Sequence, residues 1–248
     1  MPFRTLDPAL ILATAERLER RVVERFPDRG LARVAAEVVA LTRLAKADAD
    51  TLTPPIWGLR LLIALAVITG GAVFVWVGSI IPLNQVSRDT LASVEGIEAA
   101  INTALLAALG LVALIRLEAR VKRQRVALRL HGLRSVIHVI DMHQMTKDPV
   151  TLSPDFEPTP ASPNRDMDAV ALSRYLDYCA ELLAITGKLA ALYAQAVPDE
   201  GVGSAVNDIE LLGASLSRKI WQKISLIDQT PQARRSGRPA ELRAKLPE

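Results

Sequence analysis

The run LLIALAVITGGAVFVWVGSIIPLNQVS, residues 61–87, decides how this chain is read. Its 27 residues carry no charge and lie between Arg60 and Arg88. At ~1.5 Å per residue, Leu61 to Leu83 would extend about 35 Å as a helix, enough to cross the ~30 Å hydrocarbon layer of a bilayer. A core helix of this length normally keeps a polar face, and this run has none. Residues 57–83 are therefore expected to form a transmembrane helix. Trp57 and Trp76 suit its two interfaces.

A second uncharged run follows from Ala99 to Ile115. Its 17 residues sit at the lower limit for a span, and Asn102 and Thr103 make it more polar. Residues 99–115 are read as a second span, with an interfacial or re-entrant helix as the competing reading. Residues 84–98 then form a short extracytoplasmic loop. The first apolar run begins after sixty residues, many of them charged, which does not fit a cleaved signal peptide.

The whole composition agrees. Half of the 248 residues are apolar and only 23% are charged, and the mean hydropathy is +0.22. Few soluble domains of this size reach a positive value. Aromatics are only 4%, so Leu, Ala, Val and Ile carry the apolar content and helices are favoured over sheets.

The cationic residues set the orientation. Residues 1–60 hold ten Lys and Arg and residues 84–98 hold one. Seven more follow the second run: Arg116, Arg120, Lys122, Arg123, Arg125, Arg129 and Arg134. Both termini are expected in the cytoplasm, with the bacterial inner membrane as the location. The seven cations suit contact with anionic lipid head groups. The absence of aromatics among residues 116–135 argues against nucleic acid.

The remaining segments read as amphipathic helices. Residues 1–53 form a helical hairpin that opens on Asp7-Pro8 and turns at Pro27-Asp28-Arg29-Gly30. Its first apolar stripe is Leu10, Ile11, Leu18, Val22 and Phe26. Residues 116–146 continue the second span as a helix of about 46 Å. Its stripe of Val126, Leu130, Leu133, Ile137 and Ile140 has coiled-coil spacing and needs a partner helix.

Residues 147–165 hold five prolines and read as an extended or disordered linker. Residues 166–229 form a second antiparallel hairpin, turned by Pro198-Asp199-Glu200-Gly201. Its stripes are Leu172, Leu176, Cys179, Leu183, Thr186, Ala190 and Tyr193, then Val202, Val206, Ile209, Leu216, Ile220 and Ile227. Residues 230–248, basic and rich in proline, read as a disordered tail. The expected fold is all-α: a two-span transmembrane hairpin with cytoplasmic antiparallel helix hairpins, forming a bundle at both ends.

Chemistry is sparse. The single cysteine, Cys179, excludes an intramolecular disulfide. Walker, dinucleotide, His-Glu-x-x-His and Gly-x-Ser-x-Gly signatures are absent. The densest polar stretch holds His138, Asp141, His143 and Lys147. Helical spacing puts His131, His138 and Asp141 on one face and turns His143 away, so one helix offers at most His138 and Asp141 to a metal. A diiron bundle wants Glu-x-x-His on two helices, and this chain has none.

The plainer reading makes His138, Asp141 and His143 a polar network that orients itself and caps the helix end, with Lys147 suited to the helix dipole. Trp221, between Arg218-Lys219 and Lys223, suits a partner anchor; the commoner use is packing along a bundle edge under basic stems.

Small residues at Ala64, Gly71 and Gly78, and at Ala100, Ala104 and Ala108, suit helix packing or a homo-oligomer seam. The expected function is a non-catalytic, membrane-anchored interaction or regulatory module with no cofactor and an unknown protein partner. The alternatives are a homo-oligomeric channel with Asn102 at a pore and a metal-binding bundle enzyme using His138 and Asp141.

Overall fold

A computed structural model describes residues 4–52, 54–80, 90–153, 156–162 and 167–229. It is all-helical: α1 (Pro8–Arg25), α2 (Gly30–Leu52), α3 (Trp57–Ile80), α4 (Thr90–Met145), a 3-10 turn (Pro149–Leu152), α5 (Ala169–Ala196) and α6 (Glu200–Asp228), with no strand among the described residues. The chain divides into two compact units: residues 54–125, and residues 1–53 together with 126–248. The tail 230–248, the linker positions 154–155 and 163–166, and the first part of the expected loop lie outside the described residues.

The larger unit is a helical bundle with one apolar core. Helix α1 begins because the Asp7 carboxylate accepts from the backbone N–H of Ala9 and Leu10, with Pro8 at the first helical position. Asp168 and Asp199 cap α5 and α6 in the same way. Helices α1 and α2 pack as one hairpin, α5 and α6 as another, and α5 also packs on α1 and α2.

The α4 stripe Val126, Leu130, Leu133, Ile137 and Ile140 is buried throughout, and Ile137 reaches Gly213 of α6. Every expected position of the α5 and α6 stripes is also buried. Deleting one such side chain to alanine typically costs ~2–5 kcal/mol, because the cavity left behind collapses only in part.

Four expectations need correction. Leu10 is 67% exposed, and Ala15 takes a place in the α1 stripe. Glu200 and Gly201 do not belong to the turn but open α6, after the Asp199 cap. Helix α4 begins at Thr90, so the second half of the expected 84–98 loop is helical. The start of the expected linker is ordered: Asp148 caps a 3-10 turn in which Pro149 and Leu152 are buried, and this turn packs on α6.

The smaller unit holds α3 and the first part of α4. One helical stretch among the described residues, within Gly30–Val73, is long and apolar enough to cross a membrane, and none of its apolar core is buried. The uncharged run from Leu61 puts that core in α3. Leu61, Leu65, Ile68 and Val75 are exposed, as are Leu105, Leu106 and Leu109 of α4.

Candidate functional site: an ionic collar and a polar cluster

Glu118 organises the smaller unit. It is the one acidic residue among the cations from Arg116 to Arg125. Its Oε2 accepts from Arg60 Nε at 2.9 Å, and its Oε1 accepts from the Ile56 backbone N–H at 3.2 Å. Lys122 lies 3.3 Å from the same carboxylate, one turn further along α4, and donates to the Pro54 carbonyl at 2.8 Å.

These contacts run in opposite order along the two segments, 54 with 122 and then 56 and 60 with 118. The segment that leads into α3 therefore meets α4 in opposite chain order at this point. The Arg60 guanidinium and the Ile56 amide hold the Glu118 carboxyl down at about 2, with Lys122 adding to the effect. Trp57, 71% exposed, stands at the same level.

The basic run thus splits into different roles. Lys122 serves the collar. Arg129 belongs to the bundle, where its Nε donates to Asp48 Oδ2 at 2.7 Å, and Tyr193 donates to the same oxygen at 2.9 Å. That carboxylate raises Arg129 above its ordinary pKa by hydrogen bonding. Arg129 thus has a partner within the bundle, which sequence counting could not supply. Arg116, Arg120, Arg123, Arg125 and Arg134 are exposed.

The polar stretch at the end of α4 is built differently from the expectation. His138 is exposed and Asp141 half-buried. Asp141 Oδ1 accepts from Gln144 Nε2 at 2.6 Å. His143 is half-buried, and its Nδ1–H donates to the Val139 carbonyl at 2.8 Å. Its Nε2 occupies the place a Cβ would take on Gly30, the first residue of α2. So His138, Asp141 and His143 do not form one network. Lys147 lies over the Tyr175 ring, 5.4 Å from its centre.

Two residues that sequence reasoning missed complete this cluster. Gln144 is 4% exposed. Lys223 of α6 donates to its Oε1 at 2.7 Å and to its backbone carbonyl at 3.0 Å. Desolvation pulls Lys223 below its ordinary pKa, against the attraction of Asp148, Asp141 and Cys179. The interior is thereby satisfied: among the described residues no buried side-chain N or O lacks a partner.

Cys179 is fully buried here, and burial pushes its thiol up to about 12. A thiolate nucleophile is not available in such a setting. Among the described residues no three His, Cys, Asp or Glu side chains converge as a metal would require. Asp177 pairs with Arg174 at 3.1 Å. Glu181 is held by both Arg21 nitrogens, at 2.7 and 3.0 Å.

Two surface features remain. A groove of about 670 Å³ lies between the start of α1 and α5, walled by Leu6, Leu10, Ile11, Ala184, Ile185 and Lys188. Leu10 faces this groove, which accounts for its exposure. Trp221 is 54% exposed on α6, beside exposed Arg218 and Lys219.

Compared with known proteins, the chain matches no protein family, no curated protein and no solved structure.

Proposed function

We propose that this chain is a membrane-anchored, non-catalytic interaction module. In this reading α3 and the Ala99–Ile115 part of α4 form a two-span anchor in a bacterial inner membrane. Both termini lie in the cytoplasm, and the helical bundle presents a surface to a protein partner. The observation that carries it is the Glu118 collar. Because Glu118 pins Arg60 and Ile56, the first uncharged run begins and the second ends at the same charged cluster. Large apolar side chains are exposed on both helices beyond it, and a water-soluble surface rarely tolerates a patch of that size.

Trp221 supports the interaction half of the reading. Trp221 is half-exposed beside cations, and Trp and Arg are enriched among interface anchors. The test is native mass spectrometry of the complex released from its own membranes. A foreign protein at fixed stoichiometry, lost in Trp221→Ala with the oligomeric state unchanged, is the expected result. A closed ring of identical subunits with nothing else bound would replace the adaptor with a homo-oligomeric channel.

A further inference from the structure

Around the helix axis, Arg116 and Arg120 share one sector of α4 with Leu105, Leu109 and Val112, all within about 80° at ~100° per residue. All five are exposed. Glu118 lies on the far side of the axis, about 200° from Arg116, which is why it meets α3. One face of α4 thus meets the start of α3 at Glu118. The other is apolar from Leu105 to Val112 and cationic at Arg116 and Arg120.

The dimensions fit one kind of ligand. From Leu105 to Arg116 the helix rises about 16 Å, close to half of the ~30 Å hydrocarbon layer, the depth of one leaflet. Arg116 and Arg120 are one turn apart, about 6 Å along the axis. Two guanidiniums at that spacing can share the oxygens of one phosphate, each through paired N–H groups. Lys122 and Arg60 are already committed to Glu118, whereas Arg116 and Arg120 are exposed on the other side of α4.

We infer that this face of α4 holds an anionic phospholipid, its acyl chain along Leu105, Leu109 and Val112 and its phosphate between Arg116 and Arg120. The inference rests on the membrane reading above and adds a lipid class and a site to it. A diffuse basic surface would attract any anion. This arrangement requires the phosphate and the chain in one molecule, because the apolar stripe and the cations are continuous.

The test uses the full chain purified in neutral detergent and offered phosphatidylglycerol and phosphatidylcholine at equal concentration, with bound lipid counted by native mass spectrometry. The wild-type protein retains phosphatidylglycerol preferentially. In Arg116→Gln/Arg120→Gln that preference falls about 30-fold, the equivalent of ~1 kcal/mol per cation. Arg25→Gln, an exposed cation on α1, leaves it unchanged.

Equal preference in the double variant and the wild type overturns the site. So does displacement of the lipid by inorganic phosphate at millimolar concentration, which would mean that the acyl stripe contributes nothing. Carbonate washing of native membranes separates the two levels. A protein that stays in the membrane but shows no arginine-dependent preference has lost only the lipid site. A protein that washes off has lost the membrane reading as well.

Discussion

Glu118 and Arg60 meet at 2.9 Å across 58 residues of sequence, and with the Ile56 amide they tie the start of α3 to the middle of α4. An exposed ion pair alone contributes little. Here one carboxylate also takes a backbone N–H, and its neighbour Lys122 reaches the Pro54 carbonyl. The joint therefore fixes where the start of α3 meets α4.

The joint should be acid-labile. The Glu118 carboxyl is lowered from 4.5 to about 2, so its contribution is complete above the unfolded value and disappears as pH falls through the folded one. Hydrogen exchange at the Ile56 amide should show constant protection from neutral pH to about 5, then a decline towards pH 2. Glu118→Ala should remove that protection at every pH. Protection that survives unchanged at pH 2 would show that the carboxylate does not hold this amide.

Lys223 is expected to matter more than its surface neighbours. Lys223→Met removes both hydrogen bonds from Nζ to Gln144 and leaves a buried amide half-satisfied, a loss of ~1–3 kcal/mol in thermal or denaturant unfolding. The pH dependence has a definite sign. Desolvation lowers the folded pKa, so the unfolded chain holds this proton more tightly, and stability from this group rises with pH up to the unfolded value of 10.5. A Lys223→Met variant as stable as the wild type would contradict the assignment.

Gly30 and His143 form a steric pair. An alanine at 30 must displace the imidazole and break its bond to Val139, at a cost of about 1 kcal/mol. In a His143→Ala background the same change should be neutral or stabilising by ~0.5–1 kcal/mol, since alanine favours helix over glycine. Equal effects in both backgrounds would mean that the ring does not occupy this space.

Cys179 should behave as a core residue. Its thiol is buried and pushed up to about 12, so maleimide at pH 7 should label the native protein only as fast as it unfolds. Denaturant should restore full reactivity. Rapid labelling of the folded chain would place the thiol at the surface.

Much of the bundle was legible because its signal is periodic. Val126 to Ile140 repeats at steps of four and three, and all five residues are buried. The Asp7 cap was equally local, acting two and three residues away. What stayed hidden depends on partners distant in sequence. Gln144 meets Lys223 across 79 residues, and neither breaks a pattern that would mark it. Arg129 counts as one more cation in a basic run until Asp48 is placed beside it. Helical spacing correctly separated His143 from His138, but it could not show that Asp141 would turn to Gln144. Leu10 satisfied the apolar spacing of α1 and still lies outside the core, where it lines the groove beside α5.

The central claim is that α3 and α4 carry the chain across a membrane and back. Reporter fusions test it directly: one at Glu248, one inserted within residues 84–89, each active on only one side of the membrane. The account predicts opposite sides, with the Glu248 fusion cytoplasmic. The same side for both would mean that the Ala99–Ile115 segment does not cross, and the two-span anchor would be wrong.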